Sequence, residues 1–103
     1  MEVNVENIKK LGFNYVCHDE DNDSDYSLNK PSKTRKGWID LIVWHPKTKE
    51  IIVSEHTLKL SEAHQSGKIN SKNITRYIKQ KFRLSDVTDM GLLVEMLKAH
   101  NVL

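Results

Sequence analysis

Asp40 and Glu55 are the side chains of this 103-residue sequence whose type and spacing could do chemistry. Each lies in a β-prone run, residues 38–45 and 50–60, and Pro46-Lys47-Thr48-Lys49 between them reads as a turn. A four-residue turn pairs His45 with Glu50, and that register sets Ile42 opposite Val53, Trp44 opposite Ile51 and Asp40 opposite Glu55. Two carboxylates facing each other across a hairpin repel unless a shared proton, a neighbouring cation or a metal ion compensates them. Two acids holding a divalent ion such as Mg²⁺, with water, form a hydrolytic arrangement for phosphodiesters. Lys59 falls on the same face of the run, four residues after Glu55, so the residues that could carry such chemistry are Asp40 and Glu55 as metal ligands with Lys59 as the neighbouring cation. The alternative is that the two acids sit where that face meets solvent and do no chemistry.

The elements around this hairpin follow from periodicity and breakers. Asn4 is placed to cap a helix running through Val5, Ile8 and Leu11, with Val3 and Ile8 as a hydrophobic staple and Gly12 as its stop. Phe13, Tyr15 and Cys17 alternate with more polar neighbours and read as a strand. Residues 19–36 read as a long polar loop with a short strand near Tyr26 and Leu28. Both faces of the 38–60 hairpin carry apolar residues, so it belongs in the middle of a covered sheet. Ser61 caps a short helix ending at Gly67, Asn73 or Ser71 caps a helix over 74–82, and Ser85 caps a last helix over 87–99. The order α-β-(loop)-β-β-α-α-α predicts one small α+β domain: an acidic loop at 19–36, a central antiparallel hairpin at 38–60 and a helical part at 61–100.

Gly37-Trp38-Ile39-Asp40-Leu41 followed by Ile51-Ile52-Val53-Ser54-Glu55 resembles the central hairpin of the PD-(D/E)xK nuclease fold, most of all its small VRR-NUC type. Leu60-Ser61-Glu62-Ala63-His64-Gln65 is similar to the Leu-Ser segment with a nearby Gln that often follows, and Glu6 matches an acid sometimes found in the first helix. The resemblance implies that Asp40 and Glu55 bind Mg²⁺ and that a Lys steadies the attacking water. The motif position two after Glu55 is Thr57 rather than Lys, so the resemblance implies an inactive enzyme or one with a migrated Lys.

Charge supplies the other candidate. Residues 1–30 hold three Lys against seven acids, and residues 31–103 hold thirteen Lys and Arg against seven acids, so the net charge of +2 conceals two poles. On a helix over 74–82, Lys72, Arg76, Lys79 and Arg83 form one stripe, suited to nucleic-acid phosphates or an acidic protein surface. Asp19, Asp21, Asp23 and Asp25 fail the calcium-loop pattern, because Ser24 stands where Gly is needed and Lys30 where Glu is needed. The five histidines lack zinc spacing, and the single Cys17 excludes a disulfide scaffold. No apolar run approaches the roughly 20 residues that cross a bilayer, and the polar, acidic start is unlike a secretory signal, which predicts a cytoplasmic protein without a membrane partner. Lys- and Asn-rich composition suits an AT-rich bacterial or phage genome. The sequence therefore predicts a non-catalytic accessory or inhibitory module without a cofactor, docking on a protein or nucleic-acid partner. A divergent Mg²⁺-dependent nuclease is the alternative, and pairing of a Trp-bearing apolar face in a homo-oligomer is a third reading.

Overall fold

The computed structural model of the chain describes residues 1–17, 24–68, 70 and 72–103. Helix α1 (Val5–Lys10) precedes strands β1 (Asn14–Cys17), β2 (Ser24–Pro31), β3 (Trp38–His45) and β4 (Glu50–Thr57). Helix α2 (Leu60–Gln65), a 3₁₀ turn (Ile74–Arg76), strand β5 (Ile78–Leu84) and helix α3 (Met90–Ala99) follow. The five strands form one antiparallel sheet in sequential order, which makes the fold α+β. No helix among the described residues is long and apolar enough to cross a membrane.

The local signals at the N-terminus act as their chemistry dictates. The Asn4 side chain accepts a hydrogen bond from the Asn7 N–H at 2.9 Å, satisfying one of the free donors of α1. Val3 and Ile8 are both buried, and Gly12 takes φ +103°, a conformation that side-chain-bearing residues resist, where the chain leaves the helix. The hairpin register is the expected one throughout, from Trp38 opposite Thr57 through Asp40 opposite Glu55 to His45 opposite Glu50.

Three expectations change. Residues 24–31 are a full eight-residue strand paired with β3, longer than the short strand expected near Tyr26 and Leu28. Tyr26 and Leu28 point into the core from it, while Ser27 between them lies on the other face. The helix expected over 74–82 is a 3₁₀ turn followed by β5. Ile74, Tyr77, Ile78 and Phe82 have helical spacing, but Phe82 and Leu84 also have the two-residue period of a strand, and in the sheet they lie opposite the buried Val53 and Ile51. Tertiary structure favours the strand, because pairing with β4 sets Phe82 and Leu84 against Val53 and Ile51 at the core while the backbones of both segments hydrogen-bond. The last helix starts at Met90, and Asp89 rather than Ser85 caps it by accepting from the Leu92 N–H at 2.9 Å. That hydrogen bond, and then the Met1 ammonium 3.3 Å away, hold the Asp89 carboxyl below its ordinary pKa. This contribution to stability is therefore present above the ordinary carboxylate range and is lost as pH falls through the lowered value.

The core lies on one face of the sheet. Ile42 and Trp44 of β3 and Ile51 and Val53 of β4 are buried with Ile8 of α1 and Met90, Leu93 and Leu97 of α3. The Trp44 face is thus the face the two helices cover. Ile39, Leu41, Val43 and Ile52 on the other face are half-buried.

Candidate functional site

The two-residue period that sends Ile42 and Trp44 into the core sends Asp40 inward as well, and it does the same to Glu55 after Ile51 and Val53. Asp40 is fully buried and Glu55 is 7% exposed. Two adjacent buried carboxylates require compensation, and Lys81 supplies it. Its Nζ lies 2.7 Å from Asp40 Oδ1 and 4.0 Å from Glu55 Oε2. The contact with Asp40 is a charge pair without hydrogen-bond alignment, and Asp40 Oδ2 is buried with no hydrogen-bond partner among the described residues.

Lys81 reaches the pair because of an irregularity in the sheet. Val53 pairs with Phe82 and the next residue, Ser54, pairs with Gln80, so Lys81 is the extra residue of a bulge. Lys59 does not take this place. Strand β4 ends at Thr57, and Lys59 lies exposed in the turn before α2, outside the strand phase that would have aligned it with Glu55. Thr57, at the motif position, is opposite Trp38, and its hydroxyl oxygen is buried without a partner among the described residues. The sequence signal for Lys81 is the strand-like alternation of Lys79, Lys81 and Arg83, which a helical reading discards and which the bulge at Lys81 interrupts in the sheet.

A ledge stands over this ion triad. The Ser32 hydroxyl is 3.5 Å from Glu55 Oε2 and accepts hydrogen bonds from the Thr34 and Arg35 N–H groups at 3.3 and 3.1 Å. The Ser32 N–H donates to the Trp38 carbonyl at 2.9 Å, and the Leu58 N–H donates to the Gly37 carbonyl at 3.1 Å. Gly37 takes φ +83°, the conformation that turns the chain into β3. The turn so held carries Arg35, whose guanidinium carbon lies 5.0 Å from the centre of the Trp38 ring; Lys79 Nζ lies over the same ring at 5.7 Å.

This end of the sheet collects positive charge. The 32–37 connection and the 58–77 connection both leave from it. Together they contain seven Lys and Arg, all exposed, and one acid, Glu62. The acids of the strands at this end, Asp40 and Glu55, are buried against Lys81 and do not offset the rim. Of the residues expected to form a basic helical stripe, Lys72 and Arg76 lie in the 58–77 connection and Lys79 opens β5. Arg83 is at the other end of the sheet, on the opposite face, 3.6 Å from Glu50. The four do not form a stripe, because the segment is not a helix. Lys33, Arg35 and Lys36 belong to the rim, and sequence reasoning missed them. They stand together in the sequence, but only the sheet brings their turn beside residues more than twenty positions further on.

At the far end, Asp25 is 3% exposed and its Oδ1 lies 2.6 Å from His45 Nδ1, beside the Arg83–Glu50 pair. Asp19, Asp21 and Asp23, the rest of the calcium reading, lie outside the described residues. Comparison of the chain with protein-family models, curated proteins and solved structures finds no match.

Proposed function

We propose that this protein is a non-catalytic module that binds the phosphate backbone of nucleic acid through the basic rim around Trp38. The observation that carries this reading is the convergence of two connections with seven exposed bases and one acid on the end of the sheet where Arg35 and Lys79 flank an indole. A dense set of Lys and Arg on one surface is the electrostatic footprint of backbone binding. Compensation of the buried acids from below keeps that surface positive.

The same geometry speaks against the nuclease alternative. The Lys81 ammonium stands between the two carboxylates, where a divalent ion would have to sit. No group of three His, Cys, Asp or Glu side chains suited to a metal converges among the described residues. Asp40 has no exposed surface through which an ion could share a substrate phosphate. The donor set does not fit Mg²⁺ and supports no hydrolytic step.

The reading is tested by fluorescence anisotropy with labelled DNA and RNA between about 50 and 200 mM salt. The triple variant Lys33→Ala/Arg35→Ala/Lys36→Ala is expected to bind at least about tenfold more weakly at the low salt. Its salt slope should fall by about 0.7–0.9 for each phosphate that the variant no longer neutralises. Arg83→Ala, at the opposite end, should bind as the parent does. Absence of binding at low salt, or a triple variant indistinguishable from the parent, removes the rim from the account. Mg²⁺-dependent cleavage that disappears in Asp40→Asn would replace this reading with the nuclease one.

A further inference from the structure

We infer that the rim selects single-stranded nucleic acid, with one base stacked on the Trp38 indole in place of the Arg35 guanidinium. This inference rests on the backbone-binding reading and adds the class of strand to it. Trp38 is the residue that needs explaining. Trp44, on the same strand β3, is 3% exposed and packs against Tyr26 at a ring separation of 5.8 Å. Trp38 is only partly buried, lies outside the apolar core, and has two cations, Arg35 and Lys79, over its ring.

A partly exposed indole with cations over its ring finds no free base plane on a duplex, which keeps its bases stacked inside and offers phosphates and groove edges. A single strand offers both the phosphates and unstacked base planes, and aromatic rings set in a basic groove are the usual way to take them. The platform is also pre-formed. The Ser32–Gly37 turn is tied to β3 by the Ser32–Trp38 hydrogen bond and to the end of β4 by the Leu58–Gly37 bond, so Trp38 and Arg35 need little ordering to bind. Arg35 reaches the ring from that exposed turn, so its guanidinium can leave the indole and pair with a phosphate when a base arrives.

The experiment compares a single-stranded oligonucleotide with a duplex of equal length at fixed low salt, using the parent, Trp38→Ala and Trp38→Phe. Parent binding to the single strand should quench indole emission, since Trp44 is shielded. Trp38→Ala should weaken single-strand binding by about 5- to 100-fold, the range for loss of one stacked base, and leave duplex affinity within about twofold. Trp38→Phe should retain most of the single-strand affinity, which separates loss of stacking from loss of the fold. Equal affinity for both forms with no quenching, or equal weakening of both by Trp38→Ala, overturns the stacking inference while the rim reading stands. Failure of the parent to bind either form overturns both.

Discussion

Replacing Lys81 with Met will lower the unfolding free energy by about 3–5 kcal/mol, the range for removing one partner of a buried ion pair. Chemical unfolding in urea reads the loss directly. For a domain of this size it amounts to a fall in melting temperature of at least about 12 °C. The size of the effect comes from what remains. Asp40 has no exposed surface, Glu55 has 7%, and they face each other across the hairpin. Without the ammonium, two buried negative charges repel each other with no other counter-charge at hydrogen-bonding distance among the described residues. Met keeps the length of the side chain, so the loss reports charge rather than packing. The control is the triple variant Asp40→Leu/Glu55→Leu/Lys81→Met, which removes all three charges together and should recover most of the stability. A Lys81→Met variant within about 1 kcal/mol of the parent would mean that the acids are compensated by something other than this contact.

The second large effect is at Trp44. Trp44→Ala should cost about 3–5 kcal/mol, because the ring is 3% exposed and fills the space between Tyr26 and the helices on the covered face. Trp44→Phe should cost no more than about 1.5 kcal/mol. The indole Nε1–H is buried with no hydrogen-bond partner among the described residues, and an unsatisfied buried donor itself costs about 1–3 kcal/mol. Phe gives up some buried area and removes that penalty. Urea unfolding of both variants checks the pair. Similar losses in the two would show that the Nε1–H is satisfied in solution, so that its removal relieves nothing.

These two effects separate what local chemistry specifies from what the assembled sheet adds. Sequence alone determined the α1 cap at Asn4, the turn at 46–49, and the hairpin register that brings Asp40 to Glu55. It determined them because a cap acts over three residues, and because turn length and the two-residue period together leave one register that buries Ile42, Trp44, Ile51 and Val53. The same alternation put both acids on the face of Ile42 and Trp44, although it could not say what would neutralise them.

Tertiary structure decided the rest. Residues 78–84 carry a spacing that suits a short helix and a strand alike, and the choice between them lies in their pairing with β4, which no local pattern records. That choice dissolves the expected stripe of Lys72, Arg76, Lys79 and Arg83. It sends Arg83 to the far end of the sheet and brings Lys81 to the buried acids. It also gathers bases from two separate stretches of the sequence, because the 32–37 and 58–77 connections leave the sheet at the same end. A strand's partner and the end at which a loop emerges are properties of pairing between distant segments, so the basic rim, unlike the carboxylate pair, existed only once the sheet was formed.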